Sequence, residues 1–458
     1  MKTLVKAIET YVPLAVLFDS CHEQGQAVFL DSSLQNDLGR YSIIGLQPYL
    51  TFCEKNKVCY RNGEPVDVSM EEALSDYLRE NREEHDTGLP LVSGAIGYLT
   101  YDYGRKFEGI ESRHAPAIDM PDACFTFYDV LLIEDCREKQ LYVTVRGEQS
   151  DARQTASVIE AWVRRVSPGE NIPRRKEHQA EFTADFEKEG YKRAICDMIK
   201  YITEGDIYIA NMTQQLSAKS SRHPYETFRY LRAHNPSPFG CYLNYGDFQI
   251  VGASPERFMR MRDGWIETRP IKGTRRRGVT PEEDQMLKQE LADSGKDRSE
   301  LLMIVDLERN DLNHVCEPGS VKVTEHFAVE TYATVFHLVT EIIGKLREGL
   351  DVMDLIRAAF PGGSITGAPK IRAMEIIDEL EHSRRGLYTG SVGYLSLNGD
   401  CDMNIVIRTA VYQDGIYHLG VGGGITCESE PEFEYEETLQ KAKAVLEAIY
   451  DNDGSDDG

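Results

Sequence analysis

The chain of 458 residues carries a formal net charge of −25 at pH 7, with 41% hydrophobic and 28% charged residues. This composition is typical of a globular protein with a large core, and the sequence contains no run of about 18 apolar residues that could form a membrane-spanning helix. The negative charge argues against nucleic acid or an anionic membrane as a partner, so an anionic substrate would need a locally positive pocket.

The start of the chain and its cysteines both predict a cytoplasmic protein. The first residues, Met1–Lys6, are not followed by the apolar segment of a signal peptide. The ten cysteines are scattered and include no C-x-x-C pair, which favours free thiols over disulfides or a metal framework.

The order of patterns along the chain divides it into four parts. Residues 1–165 are predicted to be a sheet-rich N-terminal part, because short apolar runs such as Ala27–Leu30 alternate with turn signals. The polar residues 166–182 predict a linker or an exposed loop. A catalytic region is expected over 183–450, followed by a disordered acidic tail over 451–458.

Helical and strand-like patterns come in blocks within 183–450. Apolar spacing predicts a helix from about Phe186 to Ile202. Thr183 is its candidate N-cap and Gly205 its stop. Further elements are predicted as helices over Asp284–Asp306, Ala368–Glu381 and Glu434–Ile449, and as a strand over Met403–Val411. Because no βαβ alternation is present, the predicted fold class is α+β.

Lys272 lies between a proline-stiffened turn and a glycine, in the sequence Arg269-Pro270-Ile271-Lys272-Gly273-Thr274. Gly273 has no Cβ, so another group can approach the backbone closely there. A desolvated lysine amine at this point could act as a nucleophile. The alternative is a solvated lysine on a turn, which is the usual state of this residue type.

Two pairs of acids have the i, i+3 spacing that places both members on one face of a helix. They are Asp297 with Glu300 and Glu434 with Glu437. Each pair alone is typical of a solvated helix face. If the two faces met in one pocket, they would repel each other unless a cation lay between them, and ligands that are all oxygen suit Mg²⁺.

Arg408 and the glycine run 422–424 are candidates for binding an anion. Strand alternation would place Arg408 on an interior face, where its permanent charge needs an anionic partner. A structural salt bridge is the alternative. The amides of consecutive glycines can line a concave anion site that no side chain obstructs.

Four stretches of the chain occur together in one enzyme family. They are Arg269–Thr274, Leu302–Asp311, Pro361–Lys370 and Gly422–Ile425. Together they resemble the chorismate-utilising enzymes, and most closely the aminodeoxychorismate synthase branch of that family. The resemblance implies one large α+β domain, with two antiparallel β-sheets in an orthogonal sandwich wrapped by helices. It also implies amination of chorismate with ammonia to 4-amino-4-deoxychorismate, a precursor of 4-aminobenzoate and folate.

The same resemblance implies a role for each candidate residue. Lys272 would be a covalent nucleophile and Glu256 the general acid, although Glu256 could also be a surface partner of Arg257. His337 lies in an apolar run and would be either a functional residue or a satisfied core histidine. The implied substrate pocket contains Gly273, Thr274, Tyr388, Arg408, Gly422, Gly423, Gly424 and Lys441. The implied Mg²⁺ ligands are Glu300 and Glu437, with Glu434 beside them and Asp297, one methylene shorter than the usual glutamate, in the outer shell.

One position departs from the family pattern. Ile209 stands where relatives usually have glutamine, or lysine in the members that make isochorismate, and isoleucine cannot activate water. This argues against an isochorismate or salicylate synthase.

Nothing in the chain resembles a glutamine-hydrolysing domain, so ammonia is expected from a separate glutamine amidotransferase subunit in a heterodimer. The alternatives are anthranilate synthase component I, whose members carry alanine at the position of Lys272, and a non-catalytic subunit that binds chorismate or tryptophan. The segments Asp31–Ser33 and Pro238–Gly240 match places where relatives bind tryptophan.

Overall fold

The computed structural model describes residues 2–166, 181–332 and 335–450. The predicted tail and almost all of the predicted linker lie outside these residues. Within the described ranges, no helix combines the length and the apolar character needed to cross a bilayer.

Helices form in both halves of the chain. The α-helices are α1 (Leu14–Phe18), α2 (Met70–Glu80), α3 (Tyr101–Arg105), α4 (Ala152–Val163), α5 (Lys188–Glu204), α6 (Pro224–His234), α7 (Pro281–Asp293), α8 (Gly295–Asn313), α9 (Val352–Ala359), α10 (Lys370–Leu380) and α11 (Pro431–Tyr450). Short 3₁₀ turns cover Lys106–Glu108 and Gly363–Ile365.

The strands are distributed along the whole chain. They are β1 (Leu4–Ile8), β2 (Val28–Asp31), β3 (Tyr41–Lys55), β4 (Val58–Arg61), β5 (Glu64–Val66), β6 (Gly94–Leu99), β7 (Ala123–Asp135), β8 (Gln140–Val145), β9 (Thr183–Ala184), β10 (Ile209–Lys219), β11 (Phe239–Asn244), β12 (Gln249–Ser254), β13 (Arg257–Arg262), β14 (Trp265–Thr268), β15 (Ile271–Arg276), β16 (Lys322–Thr331), β17 (Val335–Lys345), β18 (Gly367–Ala368), β19 (Ser391–Ser396), β20 (Cys401–Asn404), β21 (Thr409–Gln413) and β22 (Ile416–Ile425).

All the strand pairings are antiparallel, and they join in one hydrogen-bonded network with two arms that share the long strands β3 and β7. The first arm runs from β1 through β8, β7, β3, β2, β11, β12, β21 and β22 to β10. The second runs from β7 through β6, β19, β20, β13, β14 and β17 to β15 and β16. Both arms contain strands from both halves of the chain. This arrangement confirms the prediction of one large α+β domain, and the two predicted sheets are the arms of a single network.

Helices cover the arms by burying apolar side chains against them. On the first arm, Val445 of α11 and Phe228 of α6 join one core cluster. On the second, Leu301 of α8 and Ile356 of α9 join another. The helices that carry the acid pairs, α8 and α11, therefore pack on different arms.

The predicted elements are largely present, with three differences. The helix predicted from Phe186 is α5, and Gly205 ends it with a left-handed φ of 90°. Thr183, however, lies in β9, and Glu187 is at the N-cap position. The helix predicted over 284–306 is interrupted, because the side chain of Ser294 accepts the amide of Asp297 and starts α8 afresh. The predicted strand 403–411 is also interrupted between β20 and β21.

One pair of cysteines corrects the expectation that all ten are free thiols. Cys53 on β3 and Cys124 on β7 are directly opposite each other and form a disulfide. The two residues are 71 positions apart, so only the pairing of the strands brings them together. The other eight cysteines are free.

A buried ion pair joins the connection after α10 to the first arm. Arg385 donates to both carboxylate oxygens of Glu381, at 3.2 and 3.0 Å from Nε, and its Nη2 donates to the Asn211 carbonyl at 2.5 Å. Glu381 also accepts the amide and the hydroxyl of Thr213, at 3.0 and 2.8 Å. Asn211 and Thr213 both belong to β10, so this ion pair fixes the position of that strand.

Replacing Arg385 by methionine is expected to lower the free energy of unfolding by about 3–5 kcal/mol, because Glu381 would be left as a buried charge without its partner. Urea denaturation of the wild type and of Arg385→Met measures this difference in the free energy of unfolding. The double variant Arg385→Met/Glu381→Leu is the control, and it should recover part of the loss since neither charge remains. A single-variant loss below about 1 kcal/mol would show that the ion pair does not hold the strand.

Candidate active site

Lys272 and Gly273 lie at an irregularity in β15. The register of β15 with β17 shifts between Lys272 and Thr274, and Gly273 has a φ of 73°. A Cβ on Gly273 would lie 2.8 Å from Cγ of Asp297 and 2.8 Å from Cδ1 of Leu291. The sequence predicted a close approach at this glycine, and the approaching groups come from helices α7 and α8.

The amine of Lys272 reaches from the second arm to the first. A Cβ placed on Gly424 of β22 would lie 3.3 Å from Nζ of Lys272 and 3.6 Å from Cδ1 of Ile209. The candidate site therefore lies between the two arms, with an amine and an apolar methyl group side by side at Gly424. Ile209 is almost completely buried, so this part of the wall is apolar.

Acids of α11 lie beside the same glycine run. A Cβ on Gly423 would be 3.3 Å from Oε2 of Glu434, 3.5 Å from Nζ of Lys441 and 3.6 Å from Oε2 of Glu437. Lys441 donates to the Gly422 carbonyl at 2.8 Å and pairs with Glu437 at 3.1 Å. Because the glycines 422–424 have no side chains, α11 can place charged groups against this part of β22.

The glycine run 422–424 is paired along one edge only. Gly422, Gly423 and Gly424 face Thr213, Met212 and Asn211 of β10, whereas β21 pairs with β22 only as far as Leu419. In an antiparallel ladder the amides of successive residues point alternately to the two edges. Only the amides that point to the open edge can contact a ligand. The anion site therefore contains fewer of these amides than the sequence predicted.

The acid pair of α8 faces the acids of α11. Burial raises the pKa of Glu300, the lysines 272 and 296 lower it, and the charges of Asp297 and Glu437 raise it. Burial likewise raises the pKa of Glu434, and so does Glu437. The structure therefore brings together the two acidic helix faces that the sequence singled out.

The four acids differ in their ability to hold a metal ion. Within the described part of the chain, no group of three or more His, Cys, Asp or Glu is arranged as a metal site. Glu300, Glu434 and Glu437 supply the oxygen donors that a hard cation prefers, from two helices whose like charges repel each other. Asp297 is bound by Arg275 at 3.2 Å, which agrees with an outer position.

Glu256 lies in the turn between β12 and β13, and its Oε1 accepts the hydroxyl of Ser364 at 3.0 Å. Burial raises its pKa, while Ser364, Lys272 and Lys441 lower it. The alternative of a surface pair is excluded, since Arg257 is bound by Glu267 and Asp402. Ser364 lies inside a stretch that the sequence singled out, but nothing in the pattern indicated its contact with Glu256.

Arg408 corrects a prediction about its position. It lies in the irregular segment between β20 and β21 rather than on a strand, with a left-handed φ of 50°. The residue is exposed rather than on an interior face, and desolvation by the protein around its guanidinium lowers its pKa. Among the residues that the structure describes, no carboxylate pairs with its guanidinium, so the structural salt bridge that was the alternative is not formed.

His337, Thr274 and Tyr388 lie around these charged groups. Nδ1 of His337 is 3.0 Å from the hydroxyl of Thr274, and burial together with Arg408 lowers the pKa of the imidazole. The ring of Tyr388 occupies the space above Gly420 of β22, where a Cβ would lie 2.0 Å from its Cγ. Burial raises the pKa of this tyrosine, and so do the charges of Glu256 and Glu437.

The two segments that match tryptophan-binding positions of relatives also meet. Ser32 donates to the Pro238 carbonyl at 3.0 Å, and both residues line a cavity of about 80 Å³. This cavity is separate from the lysine and the acids described above and also contains Asp31 and Phe239.

Comparison with known proteins identifies relatives of this chain. The family model described as chorismate binding enzyme matches residues 27–447. The chain is 38% identical over 426 residues to aminodeoxychorismate synthase component 1 of Bacillus subtilis, covering 90% of this chain and 89% of that protein. It is 36% identical over 459 residues to anthranilate synthase component 1 of Aquifex aeolicus, covering 96% and 93%. The crystal structure of anthranilate synthase component I from Streptococcus pneumoniae superposes with a TM-score of 0.80 at 32% identity, covering 90% of this chain and 93% of that one.

Proposed function

The chain belongs to the family of chorismate-binding enzymes, and we propose that it aminates chorismate with ammonia to give 4-amino-4-deoxychorismate. The observation that carries this proposal is the position of Lys272. Its amine reaches Gly424 across the gap between the arms, within electrostatic reach of Glu256 and Glu300. An enzyme that added ammonia directly would have no need of a second amine at this place.

Substrate binding is proposed to begin with the two carboxylates of chorismate. Arg408, which has no carboxylate partner in the described residues, supplies a charge for the enolpyruvyl carboxylate. Lys441 and the open-edge amides of residues 422–424 lie along the same strand. Thr274, His337 and Tyr388 complete the pocket. These groups meet the requirement for a locally positive pocket in a chain of net charge −25.

We assign the ring carboxylate of chorismate to the side of the pocket formed by α8 and α11. There Glu300, Glu434 and Glu437 are proposed to hold Mg²⁺. The ion would supply the positive charge that lets these acids and an anionic substrate share one pocket. Lys296, 4.0 Å from Glu300, and Lys441 balance part of the acidic charge.

The reaction is proposed to proceed in two displacements. The free amine of Lys272 attacks ring carbon 2, both ring double bonds shift, and the 4-hydroxyl leaves as water with a proton from Glu256. Ammonia then forms a bond at carbon 4, the double bonds shift back, and the carbon–nitrogen bond to Lys272 breaks. Burial keeps Glu256 available in its protonated form, and Lys272 and Lys441 stabilise the carboxylate that remains after transfer.

Anthranilate synthase component I remains the second candidate, because relatives with that name are nearly as similar as those named aminodeoxychorismate synthase. The two reactions differ in the carbon that receives ammonia. Lys272 favours amination at carbon 4, since its amine would occupy the position from which ammonia would reach carbon 2.

Ammonia is proposed to come from a glutamine amidotransferase subunit, and the surface supports a partner close to the site. The relatives are named as component 1 proteins. Large apolar side chains are exposed directly next to site residues in the chain: Tyr208 precedes Ile209 and is 65% exposed, and Phe433 precedes Glu434 and is 63% exposed. Leu302 and Met303 follow Glu300 and Leu301 on α8 and are also exposed. A partner subunit would cover such a patch.

Lys272→Ala is expected to lose the 4-aminated product even at high ammonium, with a trace of product aminated at carbon 2 because ammonia can then enter that space. Lys272→Arg should not restore activity, since a guanidinium stays protonated. Product mass spectrometry measures both. Intact-protein mass after mixing the wild type with chorismate, without ammonia, should show a chorismate-derived adduct that Lys272→Ala lacks. Lys443→Ala, an exposed lysine of α11, is the matched control. Normal 4-amination by Lys272→Ala would refute the nucleophile.

Calorimetric titration with Mg²⁺ should show binding to the wild type and at least about tenfold weaker binding to Glu300→Gln and Glu437→Gln, because each loses a charged oxygen ligand. Asp306→Asn, at an exposed position of α8, should bind like the wild type. The same Glu300→Gln protein should lose turnover at limiting Mg²⁺. Equal affinities in all four proteins would place the metal elsewhere.

The purified chain should use ammonium but not glutamine, and should use glutamine only when its amidotransferase partner is added. Phe433→Ser and Tyr208→Ser should lower glutamine-dependent turnover, while turnover with ammonium is retained, because only the docking of the partner is weakened. Val158→Ser, an equally exposed apolar residue of α4, is the control. Glutaminase activity without a partner would contradict the proposal.

A further inference from the structure

A further acid, Glu308, is half-buried and has no part in the chemistry described above. It lines a cavity of about 10 Å³ on the inner face of α8, together with Phe258, Thr268 and Asp311. The nearby amine of Lys370 is already engaged, donating to Asp311 at 2.6 Å and to the Ala359 carbonyl at 3.1 Å. Within the described ranges, Glu308 therefore forms no ion pair, although its charge would interact with that of Glu256.

The hydrogen bonds of Thr268 link the protonation state of Glu308 to the Phe258 carbonyl. The Thr268 hydroxyl lies 2.9 Å from the Phe258 carbonyl and 2.9 Å from Oε2 of Glu308. A carbonyl can only accept, and a hydroxyl has one proton to give. If Thr268 donates to Phe258, the second bond must be donated by Glu308, which requires a protonated carboxyl group.

Phe258 lies two residues after Glu256, at an irregularity in β13. The register of β13 with β20 passes from Arg257 to Met259, so among the described strands Phe258 has no partner residue on β20. A buried carbonyl needs a donor, and Thr268 of β14 supplies one. The Thr268 bond therefore supports the backbone two residues after Glu256.

We infer that Glu308 is a neutral carboxylic acid at neutral pH and a positioning residue for Glu256. Its proton is donated to Thr268, and the proton of Thr268 is donated to the Phe258 carbonyl. This series of hydrogen bonds connects α8, which also carries Glu300, to the segment that carries Glu256. Only the role given to Glu256 rests on the proposed function.

The surroundings of Glu308 agree with a neutral acid. Burial raises its pKa to about 8, with Thr268 lowering it, Asp311 and Glu256 raising it, and Lys370 lowering it. When Glu308 ionises at higher pH, its carboxylate can only accept. Thr268 must then turn its proton toward Glu308, and the Phe258 carbonyl loses its donor.

Infrared difference spectroscopy between the wild type and Glu308→Gln tests the protonation state directly. At neutral pH the wild type should show an additional carbonyl stretch of a protonated carboxylic acid. Glu256 and Asp311 are present in both proteins, so their signals cancel. In the wild type the band should disappear as the pH is raised through about 8. A Glu308-dependent signal of an ionised carboxylate at neutral pH would overturn the inference, and Glu308→Leu, which has no titratable side chain, replaces Glu308→Gln as the reference if that variant does not fold.

The pH dependence of stability provides a second readout. Because the folded state retains the proton of Glu308 above the ordinary pKa of 4.5, the wild type should lose stability relative to Glu308→Gln between about pH 4.5 and about pH 8, and the difference should then stay constant. Glutamine remains neutral and can still donate to Thr268. A difference in melting temperature that does not vary with pH would contradict this.

The positioning role predicts a change in the pH profile of turnover. The ratio of turnover at about pH 9 to turnover at about pH 7 should be higher in Glu308→Gln than in the wild type. Thr268→Val should lower turnover at both pH values, and Thr268→Ser, which keeps the hydroxyl, should restore it. Equal ratios would remove the positioning role. The infrared and melting measurements do not depend on the product, so a protein that shows both effects but does not aminate chorismate would refute the proposed function and leave the protonation of Glu308 intact.

Discussion

The buried ion pair between Arg385 and Glu381 is the interaction on which the site depends most. Through its bonds to Asn211 and Thr213 it fixes β10, and β10 in turn sets the register of the glycine run in β22. Arg385 also donates to the Ile365 carbonyl at 2.8 Å, in the segment that carries Ser364 and hence the hydrogen bond to Glu256. The Arg385 guanidinium therefore positions both β10, which pairs with the glycine run, and the segment whose Ser364 donates to Glu256. A hydrophobic pair of similar volume could fill this space, but it would not define the directions of these strands and turns.

The two arms of the sheet impose a second constraint, because the reactive groups come from both. Lys272 belongs to β15 of the second arm, and Glu256 lies in the turn from β12 of the first arm to β13 of the second. The glycine run and Glu437 belong to β22 and α11 on the first arm. Glycines make this approach feasible, since charged groups from elsewhere occupy the side-chain space of Gly423 and Gly424. The site exists only when the arms are joined, and the long strands β3 and β7 join them.

The sequence predicted those features that local pattern controls. The helix ending at Gly205, the acid pairs at i, i+3 and the tight backbone at Gly273 all follow from conformational preferences of a few residues. Features that depend on long-range pairing were missed or misplaced. Arg408 looks like a strand residue by alternation, yet the chain leaves the ladder there. The contact between Ser364 and Glu256 and the disulfide between β3 and β7 join distant residues, and neither has a local signal.

The distribution of charge explains how a chain this acidic can receive an anionic substrate. On the side of the pocket formed by α8 and α11, the acids are opposed by lysines 272, 296 and 441, so that region is close to balanced. On the other side, Arg408 has no carboxylate partner in the described structure, and burial together with Arg408 lowers the pKa of His337. Arg408 is therefore the group on this side whose charge no described carboxylate compensates. Because guanidinium binds carboxylates with a defined geometry, Arg408 would orient an anionic substrate as well as attract it.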